Sequence, residues 1–487
     1  MALFQVLSRY LRGEGHLADM LAGMTLAKTL GELRESGYQP RPVKLEMRHN
    51  LVEKIRVGED LFPGIIGYED TVIPQVENAI LSGQDIIFLG ERGQAKSRIA
   101  RALVSLLDEW LPIVAGSEIN DDPFDPVSAY GKTTVAEQGD RTPIDWVHRD
   151  QRYGEKLATP DITIADLIGE IDPIKVAEGR YLSDELTIHY GLVPRTNRGV
   201  FCINELPDLA ERIQVGLLNI LEERDVQIRG YRVRLPLDIF MVASANPEDY
   251  TNRGRIITPL KDRCGSEIRT HYPSTHEHEI SIMEQESTAF EDGELEITVP
   301  TYVKEILADI TQLARKNPDV SQRSGVSVRV SICNYENVIS NAVRRSIRLR
   351  EKQVVPRVSD LPAVIASTAG KIELETVGDT KEERVIDKMI QGAVLNTFNR
   401  YFDVTDFEDL FEGFESGLHV DAGDAVPSMK YVEQVSSFDG IKAAVAKLQA
   451  HGSPASVASA VEFILEGLHL NRKLNKDRTH GVTRYAR

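Results

Sequence analysis

Residues Asp85–Ser97 read DIIFLGERGQAKS. An apolar run, Ile86 to Leu89, meets a turn carrying Gly90 and Gly93, and Lys96 and Ser97 then open a segment with helical pattern. Strand, glycine-bearing loop, Lys-Ser and helix, in that order, form a cradle for a nucleoside triphosphate. Backbone N–H groups and the helix N-terminus face the phosphates, the lysine reaches the outer ones, and the hydroxyl faces Mg²⁺. The contact set is Gly90, Glu91, Arg92, Gly93, Gln94, Ala95, Lys96 and Ser97. Ala95 stands where this pattern usually ends in glycine. Alanine tolerates helical and bridge conformations but resists positive φ, so the site holds only if that position does not need a left-handed backbone.

The chain of 487 residues is long enough for two to four domains. Its 41% hydrophobic and 27% charged content is that of a soluble globular protein. No apolar run is long enough to span a bilayer. The opening MALFQVLSRYLRGEG carries charge too early for a signal peptide. Cys202, Cys264 and Cys333 lie far apart without a CxxC pair, which disfavours zinc and disulfide frameworks and fits a reducing cytoplasm. The net charge of −18 makes nucleic acid an unlikely partner. The basic residues near the end (Arg472, Lys473, Lys476, Arg478, Arg484, Arg487), opposed locally only by Asp477, read as a solvated, partly frayed tail.

Along the chain, residues up to about 55 look helical, and TVIPQVENAILSG reads as an amphipathic helix ended by Gly83. Arg98–Leu107 continues the helix after the loop, and PIVAGSE (Pro112–Glu118) is a possible second strand. GVFCINE (Gly199–Glu205) and DIFMVASANP (Asp238–Pro247) are nearly continuous apolar runs, as expected of strands buried on both faces. Between them Ile213, Leu217, Ile220 and Leu221 recur at helical spacing. This alternation argues a parallel sheet with helices on both faces. SEIRTHYP (Ser266–Pro273) would be the last strand, with Ser274 and Glu277 as a capping-box pair before a helix. Beyond Glu279 the pattern is mostly helical, Gly413–Pro427 reads as a loop, and PASVASAVEFILEGLHLNRKL is a final helix.

A second constellation strengthens the first. The strand Phe201–Ile203 ends in Asn204 and Glu205. Such a strand end presents two polar residues to Mg²⁺ and to the attacking water, and the first is normally Asp. Asn204 offers only a neutral carbonyl oxygen, whereas Glu205 can polarise water for attack on a γ-phosphate. Asn246, ending another apolar strand, can hold that water or phosphate. Arg263 precedes a sheet-edge strand, where a guanidinium suits phosphoryl-transfer charge and is often offered to a neighbouring subunit. Arg329, in SGVSVRVSI, is a further candidate for the γ-phosphate.

Together these residues resemble the AAA+ ATPases, in the magnesium-chelatase I-subunit and MoxR-like branch. LIGEIDP, GLVPRTNRGVFCINELPDL, LLNILEER, ASANPEDYTNRG and ITPLKDR carry the likeness, which covers about Asp60 to Tyr335. The resemblance implies an α/β fold: a P-loop NTPase with a parallel sheet core, a helical lid domain and helical terminal extensions. The expected domains are an N-terminal helical extension (1–55), an ATPase core (56–275), a helical lid (276–400) and a C-terminal helical region (401–487). By position, Gly90–Ser97 is the Walker A loop, Asn204–Glu205 the Walker B end, Asn246 sensor 1, Arg263 the arginine finger and Arg329 sensor 2. Ile65, Ile66 and Gly67 would line the adenine pocket, and Ser97, Asn204 and Glu205 would face the metal. Arg195 and Arg198 would make further inter-subunit contacts.

The implied cofactors are ATP and Mg²⁺, and the implied assembly is a homo-oligomer, a hexameric ring. The expected function is an ATP-hydrolysing motor that remodels a partner protein carrying a von Willebrand A domain. The alternatives are a genuine magnesium-chelatase ATPase subunit and a weakly hydrolysing nucleotide-dependent scaffold. No GAFTGA loop points to sigma-54 activation. HEHE (His276–Glu279) reads as a solvated helix start, since positions i and i+2 point to different sides. Cys202 reads as a small buried hydrophobe.

Overall fold

The computed structural model describes residues 26–171, 188–223, 235–247, 254–288, 290, 293–322, 325–375, 379–417, 419–436, 438–479 and 482–487. They form two compact units. One takes the described residues of Met1–Pro63, Thr71–Leu89 and Lys96–Arg269, and the other those of Gly64–Asp70, Gly90–Ala95 and Thr270–Arg487.

The strands of the first unit, in chain order, are β1 (Ile86–Leu89), β2 (Trp110–Val114), β3 (Ile144–His148), β4 (Tyr153–Leu157), β5 (Gly169–Ile171), β6 (Ile188–Tyr190), β7 (Gly199–Asn204), β8 (Ile239–Ala245) and β9 (Ser266–Arg269). A five-stranded sheet has the order β4-β7-β8-β1-β9, with every pairing parallel. The continuous apolar runs sit where continuous burial requires them: all of β1 is buried, as are β7 up to Ile203 and β8 after Ile239. The helix Glu211–Glu223 follows β7, and its Ile213, Leu217 and Ile220 are buried at helical spacing. The helix Val72–Ser82 ends at Gly83 as its sequence indicates. The second strand is β2, yet it pairs antiparallel with β3 in a separate two-stranded sheet and not with the parallel one.

The described residues 26–57 are bound into this unit by charge. Glu46, on the helix Val43–Val57, accepts Arg152 Nη1 at 2.7 Å and Nη2 at 2.6 Å, and also accepts the Asp108 N–H at 2.7 Å. Arg152 is 0% exposed and donates Nε to the Arg198 carbonyl at 2.8 Å. Glu46→Ala would leave that guanidinium buried without its carboxylate. The expected loss is about 3–5 kcal/mol of stability, read as a lower denaturant midpoint.

The second unit is mainly helical. Its apolar core is drawn from Met283 through Tyr485, so the spans 276–400 and 401–487 share one core. The helix Pro454–Leu470 is buried from Ala458 through Leu468, as suits a helix that is apolar nearly all round. Its two carboxylates are satisfied inside: Glu462 accepts the Ser359 N–H at 2.9 Å and Glu466 accepts Lys476 Nζ at 2.7 Å.

Four expectations fail in this unit. The Gly413–Pro427 stretch holds the end of the helix Glu408–Glu415 and a strand, Val420–Ala422. The C-terminal region is not wholly helical: Asn475–Thr479 and Val482–Ala486 pair antiparallel, and the second pairs with Val420–Ala422. The tail is therefore ordered. All six of its basic residues are exposed, as expected of a solvated tail, but two find acids distant in sequence, Arg484 with Asp421 at 2.9 Å and Arg487 with Glu415 at 2.7 Å, while Tyr485 enters the core. Finally, the helix His276–Glu286 is capped by Thr275, which accepts the His278 N–H, rather than by Ser274.

Candidate functional site

Parallel strands end at the same edge of a sheet, and ligands of such sheets bind beyond their carboxyl ends. Leu89 of β1 lies in register with Ala245 of β8, and Ile203 of β7 with Ala243. Beyond these strand ends Lys96, Glu205 and Asn246 meet in the first unit. Lys96 begins the helix Lys96–Ala102 and is 7% exposed. Its Nζ donates to Asn246 Oδ1 at 2.9 Å, and Asn246 Nδ2 donates to Glu205 Oε2 at 2.9 Å. An ammonium, an amide and a carboxylate from three separate stretches of sequence form one hydrogen-bonded chain. Glu205 holds a left-handed backbone, φ 55°, and its N–H donates to Ser244 Oγ at 3.3 Å. A non-glycine residue held there costs about 1–3 kcal/mol and marks an over-determined position.

Asn204 joins the same group. Its Oδ1 accepts Ser97 Oγ at 3.2 Å and Ser244 Oγ at 3.1 Å. Its Nδ2 donates to Glu155 Oε1 at 2.5 Å. Glu155 in turn binds Arg101 with two bonds, at 2.8 and 3.0 Å, a pairing that raises the guanidinium pKa further. Burial pushes the Cys202 thiol up to about 12, consistent with an inert hydrophobe.

The residues Gly90–Ala95 belong to the second unit, as do those expected around adenine. Gln94 Oε1 accepts Thr270 Oγ1 at 2.7 Å, and the Arg92 carbonyl accepts the Tyr272 hydroxyl at 3.1 Å. The Tyr68 hydroxyl lies 3.0 Å from the Gln94 carbonyl, so the loop bearing Ile65, Ile66 and Gly67 is joined to the loop bearing Glu91 and Gly93. Gly93 has φ 77°, and a Cβ there would come within 2.0 Å of Ser327 Oγ. Close approach as well as conformation therefore requires glycine.

Ala95 departs from expectation: its φ is 56°, left-handed. Alanine in that region costs about 1–2 kcal/mol. Ala95→Gly relieves this, and after the entropy that glycine adds to the unfolded chain a gain of about 1 kcal/mol remains, read as a higher denaturant midpoint.

The arginines divide. Arg263 ends the short helix Thr258–Arg263, with its side chain about one-third exposed (34%) and 3.3 Å from Asp262. Arg329 opens the helix Arg329–Leu349 of the second unit and is exposed. Arg195 is half-exposed, 4.0 Å from Glu118. Arg198 does not fit an inter-subunit contact: it is buried, donating to the Pro112 carbonyl at 2.8 Å and lying 3.4 Å from Asp122. Of the resemblance segments, Asp172–Pro173, Arg224 and Glu248–Arg253 lie outside the described residues.

The donor set fits Mg²⁺ with triphosphate. It offers a hydroxyl (Ser97), an amide oxygen (Asn204) and a carboxylate (Glu205), all oxygens, beside a buried ammonium. In the described residues no cluster of three His, Cys, Asp or Glu could hold a metal by itself, and the His276 ring bonds Asp309 at 2.9 Å. Sequence reading passed over Glu155, Arg101 and Ser244. Only their place beside Asn204 distinguishes them, and β4 gave too weak a strand pattern to reveal it.

No protein-family model matches the chain. It is 25% identical over 330 residues to magnesium-chelatase subunit ChlI of Nostoc sp., covering 62% of this chain and 81% of that protein. It is 24% identical over 328 residues to the same subunit of Nephroselmis olivacea, covering 62% and 86%. Among solved structures, a chain of the magnesium-chelatase BchI–BchD complex is 19% identical, with a TM-score of 0.34 and coverage of 68% of this chain and 94% of that one. The chain thus resembles the AAA+ ATPases of the magnesium-chelatase type, and no helix among the described residues is long and apolar enough to cross a membrane.

Proposed function

We propose that this chain binds ATP with Mg²⁺ and hydrolyses it, as a cytoplasmic AAA+ motor whose copies assemble into a ring and remodel a partner protein. The observation that carries the reading is the chain Lys96–Asn246–Glu205 beyond the carboxyl ends of parallel strands. Lys96 would neutralise the outer phosphates while the N–H groups of Gly90–Ala95 wrap them. Ser97 and Asn204 Oδ1 would hold Mg²⁺, which spreads phosphate charge. Glu205 would orient and deprotonate water, with Asn246 fixing the Glu205 carboxylate and reporting on the γ-phosphate. Arg263 would reach the site of a neighbouring copy, and Arg329 would contact the γ-phosphate in the same subunit. Ile65–Gly67 would receive the adenine.

The partner would carry a von Willebrand A domain, and a hexamer is the expected ring. The relatives' printed names favour a second reading, a magnesium-chelatase ATPase subunit acting with other subunits. The neutral Asn204 favours a third, a slowly hydrolysing nucleotide-dependent scaffold.

Fluorescent-ATP titration of Lys96→Ala tests the core of the reading. Losing one charge-assisted contact of 1.5–3 kcal/mol weakens affinity about 10- to 100-fold. A variant that binds as tightly as the parent overturns the site.

A further inference from the structure

Asn204 poses a problem of charge. It stands where the resemblance expects an aspartate, and an amide brings no charge to a cation. The structure sets a carboxylate directly against it. Glu155 is on β4, the edge strand next to β7, where Leu157 is in register with Asn204 and Glu155 with Cys202. From that position Glu155 Oε1 accepts Asn204 Nδ2 at 2.5 Å, and the Glu155 side chain is largely buried, 21% exposed.

This bond decides which way the amide points. With Nδ2 committed to Glu155, Oδ1 is left to accept the hydroxyls of Ser97 and Ser244 at 3.2 and 3.1 Å. The flipped amide would set an oxygen against a carboxylate oxygen, which is repulsive. Arg101 lies one helical turn after Ser97 on the helix Lys96–Ala102, and its side chain is 63% exposed. One helix face therefore touches both halves of the pair: Ser97 meets the amide and Arg101 the carboxylate. Arg101 is a solvated counter-ion, and its bond to Glu155 is screened by water more than the bond to Asn204.

We propose that Glu155 is a positioning residue which supplies, through the Asn204 amide, the negative charge and the orientation that an aspartate at 204 would provide. The charge sits on β4 and the metal-facing oxygen on β7. Partners of this kind, one bond removed from a metal, tune its affinity. This inference rests on the ATP–Mg²⁺ reading, but the pairing itself can be tested without nucleotide.

The experiment has two arms. In the first, unliganded proteins are melted. Asn204→Asp sets two carboxylates in contact and lowers the melting temperature, whereas Glu155→Gln with Asn204→Asp restores it, because the Gln amide donates to the new carboxylate. Equal melting of the single and double variants overturns the pairing. In the second, Mg²⁺ is titrated against fluorescent ATP. Glu155→Gln keeps an acceptor for Asn204 Nδ2 and so preserves the structure, yet it raises the half-saturating Mg²⁺ about tenfold. The double variant returns it to the parent value, and Arg101→Gln leaves it unchanged or lowers it. An unchanged Mg²⁺ requirement in Glu155→Gln, or the same weakening in Arg101→Gln, overturns the charge role. If the parent itself binds no nucleotide, the ATP reading fails, and the melting arm still decides whether positions 155 and 204 are coupled.

Discussion

Arg263→Ala is expected to lower ATP turnover by about 10³- to 10⁵-fold while leaving nucleotide affinity near that of the parent, the effect of removing an arginine that acts only on the transition state. The expectation follows from placement and chemistry. Arg263 closes a short helix immediately before β9 and keeps about a third of its side chain in solvent. A guanidinium there can serve a neighbouring copy, where its planar fork matches the equatorial phosphate oxygens. Its contact with Asp262 is a surface pair at 3.3 Å and is worth little. Asp262→Ala should therefore leave turnover intact. Mixing Arg263→Ala with Glu205→Gln subunits distinguishes action between copies from action within one. Mixed assemblies regain turnover only if an Arg263 from one copy completes a Glu205 site in another. A mixture as inactive as its components would remove the inter-subunit role.

Glu205→Gln is expected to lower turnover about 10²- to 10⁴-fold, the usual worth of a positioned general base, with ATP retained. Glutamine keeps the oxygen that accepts Asn246 Nδ2 at 2.9 Å, so the chain from Lys96 remains closed. What disappears is the capacity to take a proton. The left-handed backbone at Glu205 suits either side chain equally, so folding is not at stake. Radiolabelled phosphate release together with nucleotide binding reads both quantities. If the variant hydrolyses ATP as fast as the parent, water is activated elsewhere and Glu205 is only structural.

The legible parts of the sequence are those whose reasons are local. β1, β7 and β8 announce themselves because strands buried on both faces must be apolar throughout. The residues at their ends follow from the same pattern, which is how Lys96, Asn204, Glu205 and Asn246 could be named together. β4 escaped notice because it is an edge strand, and YGEKL carries the charges such strands tolerate. With it went Glu155, whose significance lies wholly across a strand pairing. The tail misled for the same reason: Asp421 and Glu415 neutralise Arg484 and Arg487 from more than sixty residues away. At Ala95 the sequence pointed the wrong way, since surrounding structure holds an alanine where glycine would sit more easily.

The contact between Glu46 and Arg152 bears on how this protein can be dissected. A fragment beginning near Asp60 would match the extent of the family likeness, yet it would strip a fully enclosed cation of its counter-charge. Such a fragment would recover poorly from a heterologous host, and its failure would wrongly count against the proposed ATP hydrolysis. The shortest workable N-terminus lies at or before Val43, where the helix that delivers Glu46 begins.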